Sequence, residues 1–318
     1  MSVEVVTMGE ALLRFSVPRG TRLTELSDVS VSVGGAESNV AVALARMGCS
    51  AAWISAVPDN ALGHRVRNCL GSNGVDVQHV QVVPEERMGL YFVEPGSFPR
   101  PTQVVYDRRD SAVTRLDPSD IPWSMVESAK AVHLSGITPA LSDSLRQLSL
   151  EFVARARAAG TAVCVDVNYR SLLWEVTEAR PALLELCYGA DLVILTKEDA
   201  GDVFGFSGDP EELVRQARDA FSSRRVAVTL GPDGAVLIEG DEVLREPGHE
   251  AEVVDRIGSG DAFAAGLVLG MVRGDVPGHL RTAVAMAVLK LGIQGDHLVA
   301  GPEEVASMLR GSPREVGR

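Results

Sequence analysis

The 318-residue sequence predicts an α/β fold in which a mostly parallel central sheet carries helices on both faces and a small β-sheet lid. Three observations predict it. Short runs rich in Val and Ile alternate with longer segments of helical period. Two glycine-rich turns, one at Gly34–Gly35 and one at Gly258–Gly260, each lead into an apolar helix-like run. Two stretches, residues 11–34 and 77–109, contain strand-like pieces with no long helix between them.

Those two stretches supply "ALLRFSV", "VSVGG", "MGLYFVE" and "TQVVYDR", which can form a small antiparallel sheet. Lying over strand ends, such a sheet would exclude water from a reacting group; an ordinary edge extension would leave the same pattern. Then follow the β-α pairs: "AVHLSG" before "LSDSLRQLSLEFVARARAAG", "TAVCVDVN" before "RPALLELCYG", "DLVILT" before "KEDAGDVFG", and "RRVAVTL" after "DPEELVRQARDAF". Ligands of parallel sheets gather at the carboxyl ends of the strands. "DVNYR", "TKED", "TLGPDG" and "GSGD" all fall there. One domain over residues 1–310 and a flexible tail, "GSPREVGR" over 311–318, complete the expected layout.

Lys plus Arg total 30 against 43 for Asp plus Glu, and the net charge of −13 opposes nucleic acid or an anionic membrane as partner. Any anionic ligand therefore needs a local basic site. The apolar run "AFAAGLVLGMV" has about half the length of a spanning helix, and "MSVEVVTMGE" lacks a cationic signal start, so a cytoplasmic protein is expected. Cys49, Cys69, Cys164 and Cys187 form no C-x-x-C pair, and no two histidines stand at ligand spacing, so reduced, buried thiols and no zinc site are expected.

Neither G-x-x-x-x-G-K-[ST] nor a G-x-G-x-x-G after the first strand occurs, so a P-loop and a dinucleotide fingerprint are absent. The chemistry has to come from "VVDRIGSGDAFAAGLVLGMV". Asp261 there could cap a helix. It could also stand beside an anion hole, because a glycine turn at a helix N-terminus aims backbone N–H groups at an anion and a neighbouring carboxylate can accept a proton from an attacking hydroxyl. In "VGGAESNVAVALARMG", Gly34 and Gly35 either turn the chain or admit a polyol to the backbone, with Asn39 bonding a hydroxyl.

With both glycine motifs present, over about residues 3–310, the chain resembles the ribokinase-like (PfkB) sugar kinases; Arg256 departs from the family, where a small residue or Pro is usual. The resemblance implies Asp261 as general base, with Gly258, Ser259 and Gly260 donating backbone N–H groups to the transferring phosphoryl group. It implies ATP with Mg2+, and leaves room for a monovalent cation. Thr196-Lys197-Glu198-Asp199 stands where the family has N-x-x-E, which gives Asp199 an indirect hold on the metal through water. Asn168 and the "TLGPDG" residues Thr229, Gly231, Asp233 and Gly234 match nucleotide-binding positions, although "GPDGAVLIEG" also reads as a hairpin turn. Further adenine contacts are expected from "LRTAVAMAVLKLG", whose apolar face also reads as core.

Within the family, "HLSGITPALS", "DVNYRSLLW" and "GDH" are most similar to the branch that phosphorylates 2-keto-3-deoxygluconate. A sugar acid in so acidic a protein requires a cation, and an arginine offers a planar fork to a carboxylate. The resemblance implies substrate contacts from Gly34, Gly35, Asn39, Tyr91, Tyr106, Arg108, Ile137, Arg170 and Asp296. Arg170 reads equally as a structural ion-pair partner, Arg108 and Arg109 as a solvated strand face, and Asp296 as a turn residue. A kinase of another sugar (fructose, ribose, 5-dehydro-2-deoxygluconate) and a non-catalytic sugar-responsive binding protein are the competing functions. A homo-oligomer formed through open lid edges is also expected.

Overall fold

The computed structural model describes residues 3–96 and 99–311; apart from Gly311, the expected tail lies outside the described residues. The chain opens with β1 (Val5–Met8), passes through β2 (Leu12–Ser16) and β3 (Ser30–Gly34), and enters α1 (Ala36–Arg46). Next come β4 (Ala51–Ile54), β5 (Ala56–Pro58), α2 (Ala61–Ser72), β6 (Gln81–Val83), β7 (Leu90–Glu94) and β8 (Gln103–Asp107). The alternating part runs through α3 (Trp123–Ser128), β9 (Ala131–Ser135), α4 (Asp143–Ala159), β10 (Ala162–Asp166), α5 (Val176–Cys187), β11 (Leu192–Thr196), α6 (Lys197–Asp202), α7 (Pro210–Phe221) and β12 (Arg225–Thr229). The chain closes with β13 (Ala235–Glu239), β14 (Glu242–Glu246), α8 (Ser259–Arg273), α9 (Val276–Leu291) and α10 (Pro302–Leu309).

The central sheet has the order β14-β13-β12-β11-β10-β9-β1-β4, parallel from β12 to β4 and ending in the antiparallel pairs β12–β13 and β13–β14. Alternation along each strand separates two cores, as the two-residue side-chain period requires. Val5, Ala131, Cys164 and Leu192 face one core with Val40 to Leu44 of α1, Leu267 and Val268 of α8, and Met286 of α9. Val6, Val132, Val165 and Val193 face the other with Leu145, Leu148 and Phe152 of α4, Leu183 of α5, and Val214 of α7. Cys49, Cys164 and Cys187 are buried, Cys69 is half-buried, and all four are free thiols.

The lid is the four-stranded sheet β3-β2-β7-β8. Its outer pairs, β2–β3 and β7–β8, are antiparallel, while β2 and β7 run parallel between them. All four strand-like pieces of residues 11–34 and 77–109 enter the lid, as β2, β3, β7 and β8. β6, also within 77–109, pairs with β5 in a separate two-stranded sheet, where Gln81 N donates to Ser55 O just after β4. Among the described residues no helix is long and apolar enough to cross a membrane.

Candidate active site

The carboxyl ends of the central strands and the underside of the lid enclose a cavity of about 520 Å3. The lid and the first glycine turn bring Gly35, Asn39, Tyr91, Tyr106 and Arg108 to it. The loops after β9 and β10 bring Ile137, Asn168 and Arg170, and the first turn of α6 brings Asp199. The second glycine turn brings Gly258, Ser259, Gly260 and Asp261, and the segment after α9 brings Asp296. Gly34 lies just behind this wall: a Cβ there would stand 2.2 Å from Asp296 Oδ2 and 2.5 Å from the Tyr91 hydroxyl.

Asp261 does not cap α8. The helix begins at Ser259 behind Gly258, whose φ of 91° is the left-handed conformation that favours glycine, with no side-chain cap. Asp261 sits in the first turn, 9 % exposed, and its Oδ2 accepts a 2.7 Å hydrogen bond from Asn39 Nδ2. Burial pushes its carboxyl up to about 6, against the lowering influence of the Asn39 bond and the Arg170 charge. Beside it, the N–H groups of Gly260 and Asp261 have no acceptor among the described residues, as expected for a helix's first turn. They form a donor pair for an anion, with a proton acceptor alongside.

Asp166, Glu198 and Asp199 line the same cavity. Burial holds Asp166 well above the ordinary carboxylate range, and the charges of Asp261 and Asp199 add to the shift; Asp199 is raised by burial too. Asn168 donates to Asp166 Oδ2 at 3.3 Å and holds φ at 40°, a left-handed backbone that Asn tolerates better than most residues. A divalent cation arriving with a polyphosphate would favour the ionised forms of these carboxylates. Among the described residues no group of three or more His, Cys, Asp or Glu side chains is placed to hold a metal ion.

The cationic side is uneven. Arg108, only 9 % exposed, is not part of a solvated face: its Nε donates to Glu10 Oε2 at 2.8 Å, and its guanidinium stands 5.4 Å from the centre of the Tyr106 ring, which stacks on Tyr91. Ser111 Oγ also bonds Glu10. The guanidinium of Arg170 has no hydrogen bond or ion pair to the described residues, and neither has that of Arg256, which flanks the second glycine turn. Asp296 is not a free turn residue, since Arg14 Nη1 and the Tyr91 hydroxyl hold it at 2.8 and 2.7 Å. Arg14 also reaches Asp255 at 2.6 Å.

The turn Thr229, Gly231, Asp233 and Gly234 does not line this cavity. It joins β12 to β13 as a hairpin, with Thr229 in register beside cavity-lining Thr196 one strand away. No residue of α9 reaches the cavity; its apolar face is core.

Glu10, Arg14, Glu37 and Asp166 were not singled out in the sequence. Glu10 precedes β2 and Arg14 lies in the middle of it among apolar neighbours, and a buried charge at such a position is the signal that it is paired. Glu37, 1 % exposed, accepts from Ser135 N, Ser135 Oγ and Thr138 Oγ1 and so shapes the loop that carries Ile137.

The sequence matches the pfkB family carbohydrate kinases over residues 3–298. The chain belongs to this family. It is thus a sugar kinase, 40 % identical to the 2-dehydro-3-deoxygalactonokinase of Haloferax volcanii over the full length of both chains. It is 33 % identical to the 2-dehydro-3-deoxygluconokinase of Thermoproteus tenax, over 97 % of this chain and 94 % of that one. The crystal structure of the 2-dehydro-3-deoxygluconokinase of Thermotoga maritima superposes with a TM-score of 0.91, at 31 % identity, covering 98 % of this kinase and 99 % of that chain.

Proposed function

We propose that this kinase phosphorylates the 6-hydroxyl of 2-keto-3-deoxygluconate at the expense of Mg·ATP, with Asp261 as general base. The observation that carries the reading is the Asn39-held Asp261 beside an open pair of helix N-terminal N–H groups, in a cavity that also holds the unpaired Arg170. ATP supplies the phosphoryl group, and its Mg2+ offsets the charge on the phosphates. The hydroxyl proton passes to Asp261, the hydroxyl oxygen bonds the γ-phosphorus, and the bond from that phosphorus to the β,γ-bridging oxygen breaks to release ADP. With its carboxyl near 6, Asp261 is ionised at neutral pH yet basic enough to take that proton. Gly258, Ser259 and Gly260 hold the turn whose N–H groups meet the developing charge.

Arg170 is the clamp for the sugar-acid carboxylate, and the Nη1 of Arg108, which Glu10 leaves without a partner, adds a second donor. Gly34, Gly35, Asn39, Tyr91, Tyr106, Ile137 and Asp296 shape the sugar side. Asn168 and Asp199 serve the phosphate side, Asp199 through water on the Mg2+. The turn with Thr229, Gly231, Asp233 and Gly234 takes the adenosine end, one strand beyond the cavity. Residues 1–310 act as one domain, and exposed Val105 and Tyr106 on the open edge of β8 form the lid surface for self-association.

The galactonate epimer is the second reading, favoured by the 40 % identity to the Haloferax volcanii enzyme. Coupled ADP-release kinetics on both epimers, fructose and ribose test the proposal. A kcat/KM preference for the sugar acids supports it, and the ratio between the epimers decides the substrate. A preference for a neutral sugar overturns the carboxylate assignment and leaves Asp261 in place, whereas no turnover on any sugar returns the chain to a binding role.

A further inference from the structure

Lys290 is fully buried in the last turn of α9, with 0 % of its surface exposed. A buried ammonium is costly unless it is matched, yet among the described residues no carboxylate lies within ion-pair distance of it. Its Nζ donates instead to two backbone carbonyls, Ile293 O at 2.9 Å and Asp255 O at 3.3 Å. The neighbouring carboxylate of Asp255 is already engaged by Arg14 at 2.6 Å and by the N–H groups of Ile257 and Gly295, both at 3.1 Å. A positive charge held by carbonyl oxygens at the negative end of a helix is the environment that also suits a dehydrated potassium ion, which is close in size to an ammonium.

This niche is linked to the proposed anion hole through the backbone. Val254 N and Asp255 N donate to Leu291 O at 2.8 and 3.1 Å, so the segment that delivers Gly258 to Asp261 is fastened to the end of α9, with Lys290 as the charged member of the joint. Only Arg256 and Ile257 stand between Asp255 and Gly258 along the sequence. A shift of the Asp255 carbonyl is therefore passed directly to the turn.

We propose that Lys290 is a built-in monovalent cation: its ammonium fills a carbonyl-lined niche that positions the second glycine turn, so the kinase needs no added potassium. Lys290 is a positioning residue that touches neither sugar nor nucleotide. The inference rests on the kinase reading only for its rate measurements, since the niche can also be followed through stability.

The test compares the wild-type chain with Lys290→Ala and Lys290→Met in potassium, ammonium, lithium and choline chlorides at equal ionic strength. Initial rates on both sugar acids and thermal midpoints are measured in each. Wild type is expected to show the same rate, within about twofold, and the same midpoint in potassium and in choline. Lys290→Ala, which empties the niche, is expected to lose about 10–100-fold in kcat in choline, as when a supporting shell is removed from an active group. Potassium or ammonium restores its rate and midpoint, and lithium does not. Lys290→Met, whose methyl group plugs the niche, is restored by none of them. Saturable activation or stabilisation of the wild type by potassium overturns the proposal, as does a Lys290→Ala chain that is unaffected or is restored equally by every salt or by none. If the wild type phosphorylates no sugar acid, the functional reading fails, and the potassium-selective recovery of the Lys290→Ala midpoint still decides the role of Lys290.

Discussion

Asn39 Nδ2 donates a 2.7 Å hydrogen bond to Asp261 Oδ2, joining the two glycine motifs across 222 positions of sequence. The bond holds one carboxylate oxygen and leaves the other without a hydrogen bond among the described residues, in a side chain that lines the cavity. Asp261→Asn should lower kcat by about 10²–10⁴, the range for loss of a positioned general base. Its thermal midpoint at neutral pH should not fall. Burial raises the folded-state pKa of Asp261 from 3.8 to about 6, so the stability contributed by the protonated carboxyl is present below 3.8 and lost as the pH rises through about 6; a neutral amide loses nothing there. A variant that melts early and keeps its turnover would reduce Asp261 to a structural residue.

The pH dependence of kcat/KM should show a single acid limb, falling about tenfold per pH unit below about 6, as Asp261 takes up the proton that disables it. Asn39→Ala removes a contact that favours the ionised form, so the limb should move to higher pH. A pH–rate profile on both proteins is decisive, and an unmoved limb would detach Asn39 from the base.

Arg170→Ala should raise KM for the sugar acids by at least about tenfold, roughly 1.4 kcal/mol, and leave the melting midpoint in place, since no described partner holds the guanidinium. Arg108→Ala should cost stability as well, because it strands Glu10, which is 3 % exposed; breaking a buried pair costs about 3–5 kcal/mol. Adding Glu10→Gln should return most of that stability without returning affinity. Equal melting of Arg108→Ala and wild type would contradict the pairing.

Gly258→Ala places a Cβ 2.0 Å from Asp296 O at a φ of 91°, so both backbone strain and a clash with backbone oppose it. A loss on the order of 1–3 kcal/mol in denaturant melts, with kcat reduced more than KM is raised, is expected. Unchanged kcat would show that the turn tolerates displacement and would weaken the anion-hole assignment.

The central sheet was legible in the sequence because each β-α unit carries its own period, and because strands buried on both faces, such as the one in "TAVCVDVN", are marked by a nearly continuous apolar run without strict alternation. The lid was legible in its pieces and less so in its pairing: the parallel contact of β2 with β7, and the departure of β6 to β5, depend on partners distant in sequence. The site divides in the same way. Glycine turns and Asp261 announce themselves locally, whereas Arg14, Glu10 and Lys290 acquire meaning only from Asp296, Arg108 and Asp255, which lie 282, 98 and 35 positions away. In "LRTAVAMAVLKLG" Lys290 looks like the polar end of an apolar helix.

Only Gly35 separates the last residue of lid strand β3 from the first residue of α1, the helix that carries Asn39. Anything that draws the lid down onto the strand ends therefore pulls on the side chain that holds Asp261. A sugar can bridge the two surfaces and gain from that linkage. A water molecule is too small to do so, which is how a linked lid can favour a sugar hydroxyl over water as acceptor.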